Sequence, residues 1–202
     1  MVKKLIKEIV FMKNSKAELI VDVAQRLFAK YGFKKTTIDE IAHSAHIAKG
    51  SIYYYFDSKE DIFRAVLDKE NRLWSQKVRE VINRASTPQE KLRAYLVTRM
   101  KYLSKLTNFY SALREEYLEH YSFVENIRKK YFREEIEIVK AILKEGTEKR
   151  VFQIEDLELM AFVIVATLKG LEYSWTMEIP TPDIEKRIDL LLKVLFNGLL
   201  KR

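Results

Sequence analysis

Residues 31–59 read YGFKKTTIDEIAHSAHIAKGSIYYYFDSK, and the stop and start signals packed into this stretch decide the fold. Upstream of it, Ile20, Val23, Ala24, Leu27, Phe28 and Tyr31 recur at helical spacing, and Gly32 supplies the left-handed residue that ends such a helix. Phe33 then turns back onto the stripe. Thr37 followed by Glu40 is a capping pattern: the hydroxyl takes one orphan amide proton of a new helix while the carboxylate returns to the cap. That helix is short and turns near Ala45-His46. Another runs from about Ala48 to Tyr55, and Ser58 with Asp61 opens the next. Three short helices fit before residue 57.

The same punctuation continues outward. Ser15 with Glu18, Thr87 with Glu90 and Ser122 with Glu125 repeat the capping pattern, and Pro88 and Pro182 each follow a threonine at the position where a helix can spare an amide proton. The first helix is predicted over 16–31, and longer ones over 59–84, 88–105, 108–119, 122–145, 156–177 and 182–200. With five glycines, three prolines and no run of strict alternation, a sheet has little to build on. The fold class is all-α, with about nine helices.

Bulk composition narrows the function classes. The absence of cysteine excludes disulfides, zinc-thiolate sites and thiol catalysis. The first 60 residues hold 11 Lys/Arg against 7 Asp/Glu, half of the net charge of +8 in under a third of the chain. A basic N-terminal region suits a polyanionic partner without requiring one. Leu5, Ile6, Ile9, Val10 and Phe11 imitate a signal peptide. Lys7 and Glu8 interrupt the run and no small-residue cleavage site follows, so a cytoplasmic protein is expected. Their helical spacing suits an amphipathic turn, or an upstream start codon with Met12 the genuine first residue.

Taken together, Tyr31-Gly32-Phe33, Thr36-Thr37-Ile38, Ile41-Ala42, the run from Ala45 to Phe56 and Ser58-Lys59-Glu60 resemble the DNA-binding signature of the TetR family of regulators. The match covers about a quarter of the chain in register. The chemistry agrees with it. A recognition helix enters the major groove with its first residues against base edges, so side chains there should be small or long and polar. Lys49 can reach a guanine edge or a phosphate, Gly50 lets the backbone approach, and Ser51 can donate to either. Ile52 and Phe56, four apart, hold the helix from inside. Three adjacent tyrosines are packing residues in most contexts, but the resemblance places Tyr53, Tyr54 and Tyr55 on DNA. Thr37 would offer its hydroxyl or amide to a phosphate, and Lys59 would be a second backbone clamp.

Two positions depart from the family pattern. His46 stands where glycine is common in a turn needing positive φ, at a cost of about 1 kcal/mol. Ala48 stands where a serine or threonine commonly caps the recognition helix, which puts one phosphate contact in doubt. His43 and His46 lack an obvious third metal ligand, and His120 is isolated. No nucleophile with its base, phosphate loop or paired-carboxylate site is present, so neither an enzyme nor a cofactor or metal is expected. Runs such as Lys129-Lys130 and Glu134-Glu135 read as solvated helix faces.

The resemblance implies two domains: residues 1–58 as the helix-turn-helix reader, with 1–14 an N-terminal extension, and 59–202 as a helical effector-binding and dimerisation body. The helix over 156–177 is apolar on nearly every side and that over 182–200 carries a wide apolar stripe, as surfaces with two partners do. Phe162, Leu168, Gly170, Leu192, Leu195, Phe196 and Leu199 are the candidates for contact with a twofold mate. An aromatic-lined pocket for a small hydrophobic effector, fatty-acyl or aromatic, would draw on Trp74, Tyr102, Phe109, Tyr110, Arg114, Tyr117, Tyr131 and Trp175. The expected partners are a double-stranded, palindromic DNA operator, a second copy of the chain and that effector, with no membrane span. A repressor is the expected role. The alternative is a helical adaptor acting through the two apolar C-terminal helices without specific DNA binding.

Overall fold

The computed structural model describes the backbone of residues 2–102, 108, 122–178 and 184–197, and the side chains of 15–101, 108, 122–171 and 184–197. Eight helices occupy these residues: α1 (Val2–Tyr31), α2 (Ile38–Ser44), α3 (Lys49–Tyr53), α4 (Lys59–Arg84), α5 (Pro88–Tyr102), α6 (Ser122–Glu148), α7 (Leu157–Glu178) and α8 (Ile184–Asn197). There is no strand among the described residues. The helix expected over 108–119 lies outside them except for Asn108.

Caps explain three of the helix starts. Thr37 closes a complete capping box with Glu40, Ser58 Oγ accepts from the Asp61 amide at 3.1 Å, and Thr87 Oγ1 accepts from the Glu90 amide at 3.2 Å. Gly32 ends α1 with φ 80°, and His46 takes the positive φ expected of its turn, at 54°. The Ser15–Glu18 signal fails: α1 begins at Val2 and passes through it. The apolar residues from Leu5 to Phe11 already carry helical spacing, so the chain is helical when it reaches Ser15 and leaves no orphan amides for it to cap.

The chain divides into two compact units. The first comprises 1–72 together with 107–111. Its core is Ile20, Val23, Ala24 and Phe28 of α1, Phe33, Ile41 and Ala42, Ile52 of α3, and Ile62, Phe63, Val66 and Leu67 of α4, all buried. Phe28, Phe33 and Phe63 pack ring on ring, with centroids 4.7–5.7 Å apart. Because the first half of α4 supplies part of this core, the division between the units falls inside α4, after Arg72. Asn108 also belongs here. Its side-chain amide donates to the Gln25 carbonyl at 3.0 Å and to Glu70 at 2.8 Å, both partners lying in the same unit. Tyr31, placed on the buried stripe by spacing alone, is 48% exposed with the Lys30 ammonium 4.9 Å from its ring centre.

In the second unit α5 packs against α6 and α8, and α6 against α7. Trp74, Val78, Leu92, Tyr95, Leu96, Val124, Tyr131, Val139, Ala161, Val165, Leu168 and Ile188 form its core. Ion pairs rim the contacts, among them Lys91 with Glu145 and Arg93 with Asp189. Among the described residues one pair is buried: Arg99 Nε donates to Glu135 Oε2 at 2.5 Å, and Tyr95 Oη donates to the same oxygen at 2.8 Å. Glu135 is therefore no solvated face, though its run with Glu134 suggested one.

Candidate nucleic-acid interface

The reader is a pair of short helices joined by a tight turn, whose shape follows from local sequence. α2 runs seven residues, His46 reverses the chain, and α3 follows at once from Ala48, which is extended and makes no side-chain cap bond. Ile52 is fully buried and Phe56 half-buried, so the rest of α3 turns outward. Ala48, Lys49, Gly50 and Ser51 are all exposed. A Cβ built at Gly50 would meet nothing within 4 Å, so its glycine is not demanded by the protein's own packing. Tyr53 and Tyr54 are 48% and 68% exposed, too open for core residues, and Tyr55 is half-buried with its ring edge-on to Tyr54 at 5.1 Å. A continuous outer face of Lys49, Gly50, Ser51, Tyr53 and Tyr54 results. It has the small, polar and aromatic character that groove contact requires.

Three expected contact residues carry bonds within the protein, and those of Lys49 and Lys59 are ones the sequence does not reveal. Thr37 spends its amide on Glu40 Oε2 at 2.7 Å and its hydroxyl proton on the same oxygen at 2.9 Å. Those bonds hold the Glu40 carboxyl below the usual carboxylate range, and a phosphate reaching Thr37 must displace it. Lys49 Nζ donates to Asp39 Oδ2 of α2 at 2.9 Å, which raises the lysine pKa. Lys59, expected as a phosphate clamp, is turned inward. Its ammonium donates to the carbonyls of Phe33 at 2.9 Å, Thr36 at 3.0 Å and Lys34 at 3.4 Å, and sits 4.5 Å from the Phe33 ring centre. Burial pushes its pKa down. The turn after α1 presents orphan carbonyls, and a lysine opening α4 is the nearest donor to satisfy them.

In the chain without DNA, Lys59 is bonded as a strut, and a strut differs measurably from the expected clamp. Lys59→Met should cost about 1–2 kcal/mol of stability through lost charge-assisted hydrogen bonds. It should leave the slope of log affinity against log salt for DNA nearly unchanged, whereas loss of a phosphate contact lowers it by about 0.9. A full unit of lost slope with unchanged melting would restore the clamp.

Among the candidate effector residues, Trp74 and Tyr131 are 1% exposed in the second unit. The Trp74 indole N–H is buried with no acceptor among the described residues. Phe109, Tyr110, Arg114 and Tyr117 lie outside the described residues, as do the side chains of Tyr102 and Trp175. No group of three metal-ligating side chains occurs among the described residues, and no described helix is long and apolar enough to cross a membrane.

Comparison with known proteins agrees with this geometry. The family described as "Bacterial regulatory proteins, tetR family" matches residues 20–66, the span from the α1 core to Val66 of α4. The HTH-type transcriptional regulator QacR of Staphylococcus aureus is 30% identical over 192 residues, covering 90% of this chain and 97% of QacR. Among solved structures, the fatty acid degradation regulator FadR of Bacillus halodurans is 26% identical with a TM-score of 0.72, covering 93% of this chain and 97% of that one. FadR of Bacillus subtilis, solved with stearoyl-CoA, shares the fold at 24% identity and a TM-score of 0.70, covering 91% and 99%. The helix-turn-helix, its outward basic and aromatic face, and likeness along nearly the whole chain place this protein in the TetR family of DNA-binding transcriptional regulators.

Proposed function

We propose that the protein is a cytoplasmic, homodimeric repressor that binds a near-palindromic operator and is released from it by a small hydrophobic effector. The observation that carries the dimer is an apolar stripe left open on α7 and α8. Leu159, Phe162 and Val163 are 58%, 45% and 46% exposed, and Leu190 and Leu195 are 65% and 41% exposed. A monomer does not normally leave two helices each so apolar on an open side. Gly170 lies on the same side of α7 as Val163, one further double turn along; it is exposed, and a Cβ there would meet nothing within 4 Å, which suits close approach of a mate.

The expected interface needs redrawing within this proposal. Leu168 is fully buried and Leu192 5% exposed, so both are spent on the core of their own chain, whereas Phe162, Leu195 and Phe196 remain available. Leu199 lies outside the described residues. Val163→Glu and Leu190→Glu should each raise the dimer dissociation constant at least about tenfold while leaving the helical signal intact. Leu192→Glu should instead unfold the protein. Sedimentation and circular dichroism separate the two results, and a wild-type monomer at micromolar concentration refutes the interface.

The effector reading is supported by the buried indole N–H of Trp74, which meets no acceptor among the described residues, and by the naming of the Bacillus halodurans relative for fatty-acid degradation. A fatty-acyl ligand fits an aromatic and aliphatic interior with few polar anchors. Among the described residues, α4 runs unbroken from the first unit into the second, and Asn108, later in the chain, belongs to the first through its bonds to Gln25 and Glu70. A ligand favouring a displaced arrangement of α4 must weaken DNA binding, and DNA must weaken the ligand by the same factor, commonly about 5- to 150-fold. The test is to select DNA from a random pool with the purified protein, then titrate long-chain acyl-CoA with and without that DNA. Equal affinities in both refute effector release, and failure to enrich any sequence refutes the operator.

A further inference from the structure

We propose that Asp39 is a specificity-determining residue of the reader: paired with Lys49 across α2 and α3, it disfavours contact of that lysine with phosphate more than contact with a base edge. The pair is short, at 2.9 Å, and open, with side chains 67% and 52% exposed. An ion pair so exposed is weak enough for a DNA acceptor to take the lysine.

The carboxylate cannot leave when that happens. Asp39 is the second residue of α2, where an anion is favoured by the helix N-terminus, and α2 is fixed by the Thr37–Glu40 box and by burial of Ile41 and Ala42. Whatever Lys49 touches, a negative charge stays within reach of its ammonium. A phosphate taking Lys49 approaches that carboxylate and is repelled by it. The N7 and O6 acceptors of guanine carry no net charge and are not repelled in the same way. Asp39 therefore lowers sequence-independent affinity more than it lowers affinity for the right sequence, a discrimination achieved by opposing the wrong contact. The basic excess of the N-terminal region supplies a general attraction for DNA that such a device would restrain.

The inference rests on DNA binding by α3, which binding of the wild-type chain to a random-sequence duplex at low salt tests separately. The experiment is a double-mutant cycle of Asp39→Asn and Lys49→Met, measured on a random-sequence duplex and on the best duplex selected by the wild-type protein, across a salt series. Asp39→Asn should tighten binding to the random duplex about three- to tenfold, the effect of freeing one close charge pair. It should steepen the salt slope by about 0.9, as one more phosphate is neutralised. Affinity for the selected duplex should change less, so the ratio of the two falls. With Lys49→Met already in place, Asp39→Asn should do none of this. An equal gain on both duplexes, or a gain that survives Lys49→Met, would show only the added net charge and overturn the proposal. Weaker binding by Asp39→Asn at unchanged melting temperature would overturn it too.

Discussion

Glu135→Ala is expected to destabilise the protein by about 3–5 kcal/mol, because it removes a carboxylate that faces a buried guanidinium and leaves a buried phenol without its acceptor. Arg99 is 2% exposed and Glu135 4%, and Tyr95, fully buried, gives its phenolic proton to the same carboxylate oxygen. Deleting the whole group is a different experiment. A chain with Tyr95→Phe, Arg99→Met and Glu135→Leu together should lie within about 1 kcal/mol of the wild type or exceed it, since a buried ion pair seldom outperforms apolar packing. Urea unfolding of the two variants decides between these outcomes. A loss under about 1 kcal/mol for Glu135→Ala would mean that the pair behaves as a surface pair.

The same cluster sets an alkaline limit. Burial, followed by the neighbouring Glu135 charge, pushes the Tyr95 phenol well above its ordinary value of 10.0. Above pH 10 the unfolded chain loses the phenolic proton that the folded chain keeps, so the folded state binds more protons and stability falls as pH rises. Its contribution is complete below pH 10 and disappears as pH climbs through the raised folded value. Tyr95→Phe should flatten this part of the stability curve.

How far the residues announced all this depends on the kind of signal. The reader was legible because its instructions are local: Gly32 at φ 80°, His46 at φ 54° and the Thr37 and Ser58 caps each act within four residues. The outward face of α3 followed from Ile52 and Phe56 being needed inside. What stayed hidden was competition. A sequence shows that Lys59 can donate three hydrogen bonds, but not that the turn at 33–36 offers three carbonyls. It shows a carboxylate two residues after Thr37 without showing that Lys49 reaches it. A wide apolar stripe is likewise silent about which edge faces the chain's own core, so Leu168 and Leu192 were assigned to a mate. Tyr95 and Arg99, four apart on α5, did carry a usable hint, because a charge on the same face as a core aromatic calls for a buried partner. That partner, Glu135, was masked by an acidic neighbour.

Gly146→Ala is expected to cost about 3 kcal/mol, the upper end of the usual penalty for overpacking a core. Helix propensity predicts the opposite sign, since alanine is favoured over glycine inside a helix by about 1 kcal/mol. Packing wins because a Cβ at 146 would lie 2.0 and 2.4 Å from two carbons of the Phe152 ring. The ring has little room to retreat. Arg150 takes φ 57° to fold the chain back, the amides of Val151 and Phe152 both donate to the Gly146 carbonyl, at 2.8 and 3.1 Å, and the ring stacks on Phe196 with centroids 5.6 Å apart. Phe196 lies on the open side of α8, at 37% exposure, so a displaced Phe152 pushes directly on the surface proposed to meet the second copy. Gly146→Ala should therefore lower both the melting temperature and the dimer affinity. In a Phe152→Ala background the added methyl meets no ring, and the same substitution should become neutral or stabilising by up to about 1 kcal/mol. If its cost persists there, the strain lies in the α6 backbone and not in the ring, and the link from Gly146 to the dimer surface is broken.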